Sequence, residues 1–251
     1  MAACTGGVIL PPPARSLAIM APRIMADATC WTLIESAAAG DRGARDSFAE
    51  RYLPLVRAYL EARWRTRLSP TELEDAVQDV FVECLKSEGV LEHNRDRRGR
   101  GFRAYLLGAV RHVALRIEAR TARNLEGGPR PGVELEHLPA DEESCSRAFD
   151  RSWAAAIMRE AALHQQQQAR SRGPAALRRV ELLRRVFQDG LRIADLAREW
   201  GVAAPDLHRE YALARKEFSI SLREIVAFHA SESDAAVERE CAELIDLLGE
   251  G

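Results

Sequence analysis

Thr71-Glu-Leu-Glu-Asp-Ala-Val-Gln-Asp-Val-Phe-Val-Glu-Cys-Leu-Lys86 is the stretch that decides the fold. Leu73, Val77, Val80, Phe81, Cys84 and Leu85 recur at steps of three and four residues, which places them on one face of a helix. Glu72, Asp75, Asp79 and Glu83 keep the same spacing on another face, with Gln78 among them. The stretch is therefore predicted to be an amphipathic helix with a buried stripe and an acidic ridge. Ser69 is its candidate N-cap and Pro70 suits the first turn. An acidic ridge is either a solvated face or a docking surface, and the neighbouring sequence has to separate the two.

Outward from this helix the chain reads as helical throughout. Of its 251 residues 47% are apolar and only 6% aromatic, which suits small cores rich in Ala and Leu, and no run of alternating β-branched residues is long enough for a sheet. The net charge of -2 conceals a strong local asymmetry. Between Arg95 and Arg130 ten arginines face three acids (Asp96, Glu118, Glu126), a surplus of seven positive charges. Part of that surplus lies on a second predicted helix, from Phe102 to about Arg123. Phe102, Tyr105, Leu106, Ala109, Val110, Val113 and Ile117 form its buried stripe, while His112, Arg116, Arg120 and Arg123 recur along another side, with Arg103 and Arg111 nearby. Arginines at helical spacing supply phosphate contacts without needing a base register. A solvated basic face is the alternative.

Upstream, Trp31–Ala39 is predicted to be a short helix stopped at Gly40. Asp46–Arg65 is predicted to be a longer one, with Phe48, Tyr52, Leu55, Val56, Tyr59 and Leu60 inward, and Arg51, Arg57, Glu61 and Arg63 outward. Downstream, Glu126-Gly-Gly-Pro-Arg-Pro-Gly132 sustains neither helix nor strand. Residues 124–149 are expected to form a flexible linker. A second helical part follows, with Trp153, Ile157, Ala161 and Leu163 inward, a helix end and loop over Gln165–Gln168 and Ser171–Pro174, and then a helix burying Leu177, Val180, Leu183 and Phe187. Ile193–Trp200, a turn at Gly201, and Pro205–Phe218 with Leu207, Tyr211, Ala214 and Phe218 inward fit a helix-turn-helix, whose second helix meets the major groove. A plain helical hairpin fits the same pattern. Asp206, His208, Arg209, Arg215 and Lys216 would then point outward. One further helix is expected after Ser231, carrying Val237, Cys241, Leu244, Ile245 and Leu248.

Three segments in order carry a family resemblance. Phe48-Ala-Glu-Arg-Tyr-Leu-Pro-Leu-Val56, then Glu74-Asp-Ala-Val-Gln-Asp-Val-Phe81, then Phe102-Arg-Ala-Tyr-Leu106 resemble region 2 of bacterial sigma factors of the extracytoplasmic-function (ECF) type, in the sigma-70 family. Phe149-Asp-Arg-Ser-Trp153 resembles the opening of the second half in one subgroup of them, and the Gly201 hairpin resembles their region 4.

The resemblance implies an all-α protein of two small helical domains joined by a flexible linker. It divides the chain into a disordered N-terminal extension (1–26), a region 2-like domain (31–123), the linker (124–149), a region 4-like domain (150–222) and a C-terminal helical extension (223–251). It further implies that Glu72, Asp75, Gln78, Asp79 and Glu83 dock on core RNA polymerase. Arg103, Arg111, His112, Arg116, Arg120 and Arg123 would hold the melted −10 promoter element, a single strand gripped by basic and aromatic side chains. Asp206, His208, Arg209, Arg215 and Lys216 would meet the −35 element. His112 and Arg116 stand where the family commonly has Asn and Asp, and Glu210 stands where such helices often carry Arg. The −10 preference and the −35 contact are the properties these departures bear on. Partners are core RNA polymerase and promoter DNA, with room for an anti-sigma factor.

Other classes find less in the sequence. No Gly-rich phosphate loop, nucleophile motif or metal-ligand spacing occurs, so no enzyme activity, cofactor, metal or small-molecule substrate is expected. The five cysteines (Cys4, Cys30, Cys84, Cys145, Cys241) are scattered and are read as reduced thiols of a cytoplasmic chain. Three prolines cut short the apolar run Val8–Leu10, no segment is apolar enough for a bilayer, and Met20 or Met25 is an alternative start. A stand-alone helix-turn-helix regulator that binds duplex DNA without polymerase is the nearer rival, and it leaves the acidic ridge and the Arg stripe unexplained.

Overall fold

The computed structural model describes residues 30–64, 69–85, 101–126, 141–229 and 234–249, and every regular element among them is a helix. In chain order these are α1 (Cys30–Ala38), α2 (Arg42–Trp64), α3 (Pro70–Leu85), α4 (Gly101–Glu126), α5 (Glu142–Arg172), α6 (Pro174–Phe187), α7 (Ile193–Trp200), α8 (Ala204–His229) and α9 (Asp234–Gly249). The all-helical expectation holds among these residues. The N-terminal extension, the polar segment before Gly101 and the middle of the expected linker lie outside them.

Capping explains where the helices begin. Ser69 and Glu72 form a reciprocal capping box: the Glu72 N–H donates to Ser69 Oγ at 3.3 Å, and the Ser69 N–H donates to Glu72 Oε2 at 2.8 Å. At α5 the Ser144 N–H donates to Asp141 Oδ1 at 2.8 Å, with Glu142 and Glu143 in the first turn facing the positive end of the helix. Residues 142–149, expected in the linker, are therefore the opening turns of α5. That helix also runs without a break through Gln165–Gln168 to Arg172, ending only at Gly173. Likewise α8 continues to His229, so residues 223–229 belong to it rather than to a separate extension.

Two apolar cores organise the helices. The larger draws on α1 to α4, the first half of α5, the second half of α8, and α9. Its centre is aromatic: Tyr52 (α2), Phe102 (α4), Trp153 (α5) and His229 (α8) meet with ring centroids 4.7 to 6.5 Å apart. Burying a ring of this size contributes roughly 2 to 3 kcal/mol. The smaller core comprises Leu182, Leu196, Ala197 and Leu207, from α6, α7 and the start of α8. Helix α8 thus runs from one core to the other, and α5 packs on α6 beyond the larger core. The predicted inward faces of α2, α3 and α4 are buried or half-buried, but that of α6 is rotated. Ala176 and Leu182 are buried there, whereas Leu177 is exposed and Phe187 is 69% exposed, because α6 brings its small Ala176 against the α5–α8 side.

Candidate nucleic-acid interface

On α3 the predicted ridge divides by environment. Asp75 and Gln78 are exposed, Asp79 and Glu83 are half-buried, and Glu72 belongs to the capping box, whose bonds from the Ser69 backbone and hydroxyl hold its carboxyl below the usual range. Arg116 of α4 reaches across to this ridge, donating from Nη1 to Glu83 Oε2 at 3.1 Å and from Nη2 to Asp79 Oδ2 at 3.3 Å. The acidic ridge and the basic stripe, two separate surfaces in the sequence, are joined by this residue.

The remaining arginines of α4 fall on two sides of the helix. Arg103 donates to Asp150 of α5 (Nη2 to Oδ1, 2.7 Å) and lies 3.5 Å and 3.6 Å from the carboxylates of Glu240 and Glu243 on α9. Arg111 pairs with Glu142 of α5 at 3.4 Å. His112 and Arg120 are exposed and make no side-chain hydrogen bond or ion pair among the described residues. Arg123 lies on the last turns of α4, where its side chain is outside the described set. Of the six predicted contact residues on this helix, His112 and Arg120 are thus presented to solvent unpaired, while Arg103, Arg111 and Arg116 are held by carboxylates.

A network that sequence reasoning missed supports the inner side of α4. Arg63, predicted to point outward, is only 6% exposed. It grips Glu118 of α4 with two bonds of 2.7 Å and 2.9 Å, and donates to Glu142 of α5 at 2.7 Å. Tyr59 donates to Glu142 at 2.9 Å, and the Trp64 indole to Glu118 at 3.0 Å. Paired guanidinium and carboxylates with indole and phenol donors satisfy one another inside the fold, as buried charges must. Glu118 is the one acid amid the α4 arginines, and its position two turns from Arg111 and two residues from Arg116 is the available signal. Arg51, also predicted outward, is nearly buried and pairs with Glu160 of α5 at 2.8 Å.

In the second core, Gly201 ends α7 in the left-handed region (φ 64, ψ 35), and Val202 N–H returns to Ala197 O at 3.0 Å. Three residues separate α7 from α8. Asp206, His208, Arg209, Arg215 and Lys216 are all exposed on α8, with Arg209 paired to Asp206. His208, Arg215 and Lys216 have no such partner among the described residues. Glu210, the acid expected to weaken a phosphate contact, is turned instead toward α6, where Arg179 bridges it (3.4 Å) and Glu217 (2.8 Å).

The segment that carries most of α2, α3 and α4 is similar to a known family. Residues 48–124 match Sigma-70 region 2. None of the curated proteins matches the chain. The region 2 segment takes in α2 from Phe48, all of α3, and α4 to residue 124, so it contains the acidic ridge, the six basic residues of α4 and the Arg63–Glu118 clamp. It also gives the Arg116 bridge a context, since this residue fixes the spacing of the two surface helices of region 2. The α6–α8 hairpin lies beyond the match. Among the described residues no helix is long and apolar enough to cross a membrane, and no three His, Cys, Asp or Glu side chains converge as metal ligands. The thiols of Cys30 and Cys84 are buried, and burial pushes both up to about 12, so neither is a thiolate near neutral pH.

Proposed function

We propose that the chain is a sigma factor of the ECF type, which binds core RNA polymerase and directs promoter-specific initiation of transcription. The observation that carries this reading is the match of residues 48–124 to Sigma-70 region 2, with an exposed acidic face on α3 beside basic α4. Asp75, Gln78 and Asp79 are the polymerase-facing residues, and His112 and Arg120 lead the contacts to the melted −10 strand. The α7–α8 hairpin is assigned to duplex DNA at the −35 element through His208, Arg209, Arg215 and Lys216. Glu210 pairs with Arg179 on the α6 side, which lessens the electrostatic objection to that contact. Chemistry is left to the polymerase: the chain contributes binding and positioning in the cytoplasm, and an anti-sigma factor is a natural regulator of such a protein.

The decisive experiment is reconstitution with core RNA polymerase. The purified chain should co-elute with core enzyme and confer transcription from a subset of promoters. Binding of promoter duplex by the chain alone, with no capture of core enzyme, would refute this reading and favour a stand-alone regulator.

A further inference from the structure

Arg103, on the α5 side of α4, is met by more negative charge than it needs. Around Arg103 stand three carboxylates from two helices: Asp150 bonded at 2.7 Å, and Glu240 and Glu243 at 3.5 Å and 3.6 Å. One of them would neutralise the guanidinium; three leave the site net acidic and repel a phosphate. Arg111, farther along α4, is met only by Glu142, which the Arg63 clamp also holds. Two of the three carboxylates at Arg103 come from α9, which is seated by Val237, Cys241 and Leu244 in the larger core and packs on α5 and α8. The Trp153 indole donates to Glu240 Oε1 at 3.2 Å and orients that carboxylate toward the site.

These contacts differ in kind from the Arg63 clamp. The contacts of Arg103 with Glu240 and Glu243 are long, and Glu243 is 62% exposed, so water reaches these two pairs and weakens them. A pair of this sort changes an equilibrium by no more than about fivefold, so a strand bringing several phosphates can displace it. The buried Arg63 clamp cannot be exchanged in that way.

We propose that α9 acts as an internal competitor for nucleic acid at the Arg103 end of α4. In the free chain Glu240 and Glu243 crowd Arg103, and a single strand gains this end of α4 only when they are displaced. His112 and Arg120 stay available in both states, so α9 tunes affinity rather than switching binding on or off. The inference rests on the reading of α4 as the strand-binding helix.

The test uses the full chain and a fluorescein-labelled single-stranded thymidine oligonucleotide, followed by anisotropy at fixed salt. Glu240→Gln with Glu243→Gln keeps the shape of both side chains and the acceptor for Trp153 while removing their charge. It should bind the strand roughly five- to tenfold tighter than the native chain, two displaced pairs at a few-fold each. Glu181→Gln with Asp189→Asn, at the α6 surface, removes the same charge elsewhere and should give a clearly smaller gain. Melting followed by circular dichroism checks that all variants are folded. Equal gains from the two pairs, or no gain from Glu240 and Glu243, would overturn the proposal. Arg120→Ala separates this from failure of the underlying reading. If α4 does hold the strand, Arg120→Ala weakens binding whatever α9 does; if the native chain and Arg120→Ala bind alike, the strand-binding reading and the proposal fall together.

Discussion

Acidification should unfasten the two halves of the chain at a single residue. His229 closes α8 inside the aromatic centre of the larger core, 5.0 Å from the Trp153 ring and 6.0 Å from that of Tyr52. Its Nδ1 lies 3.0 Å from Ile225 O, and because a carbonyl only accepts, Nδ1 carries the proton and Nε2 is left bare. Nε2 is buried without a hydrogen-bond partner. Burial, aided by the nearby Arg51 charge, pushes this imidazole from its ordinary 6.5 down to about 3. The folded state therefore stays neutral over a range where the unfolded chain binds a proton. Stability from this group is complete above pH 6.5 and is lost as pH falls toward 3, with a slope approaching 1.4 kcal/mol per pH unit, or about 2 kcal/mol between pH 6.5 and 5. Glu160, whose carboxyl is held up by burial, works in the opposite direction near its own range and reduces the slope. Urea unfolding of the native chain and of His229→Phe at pH 5, 6, 7 and 8 isolates the histidine, since Phe keeps the ring contacts and cannot titrate. The native chain should lose roughly 1 to 2 kcal/mol between pH 7 and 5 and His229→Phe much less. Parallel pH dependences in the two proteins would refute the assignment.

Three further outcomes are expected. Asp75→Lys on the exposed part of α3 should weaken capture by core polymerase while shifting the melting temperature little, because exposed charges contribute within about 0.5 kcal/mol of stability; unaltered capture would remove Asp75 from the docking surface. Arg116→Ala should cost stability as well as promoter opening, since it releases Asp79 and Glu83, and a double-mutant cycle with Glu83→Gln read by urea unfolding should return a coupling of about 1 kcal/mol. Gly201→Ala should destabilise by about 1 kcal/mol through the left-handed backbone alone, as a Cβ there meets nothing within 4 Å; an unchanged unfolding midpoint would show that the turn relaxes.

What the sequence made legible was whatever repeats within a single helix. The stripes of α2, α3 and α4, the Ser69 cap and the Gly201 turn all depend on residues a few positions apart, so periodicity and local backbone chemistry reveal them. The errors share the opposite property. Arg51 and Arg63 look like solvent-facing positions of an amphipathic helix until Glu160, Glu118 and Glu142 are brought up from other helices. Glu210 looks like a misplaced acid on a DNA-facing helix until Arg179 approaches from α6. On α6 the large apolar residues look like the inward face, yet close helix packing buries Ala176 and Leu182, leaves Val180 and Leu183 half-buried, and exposes Leu177 and Phe187. The beginning of α5 was hidden because Asp141-Glu-Glu-Ser144 resembles a polar linker in composition and is a helix cap in geometry.

The passage of α8 between the two cores, with α5 packed on α6 beside it, bears most directly on how such a chain would work. The smaller core contains four fully buried side chains, one of them alanine, too little apolar burial to offset the ordering of three helices by itself. Its helices are ordered because α5 and α8 are already fixed in the larger core, by Trp153 against Tyr52, by Arg51 on Glu160, and by Gln165, whose amide donates to Ala214 O at 3.0 Å from a buried site between α5 and α8. The α6–α7 hairpin should therefore open before the rest of the molecule, while separation of α5 from α2 would strip water-excluded cover from Phe102 and Tyr52 together. The pairs of Asp150 and Glu142 with Arg103 and Arg111 join α4 to α5 within the larger core, so a ligand that competed for these arginines would act on the helix that carries Trp153 and, at its far end, packs on α6.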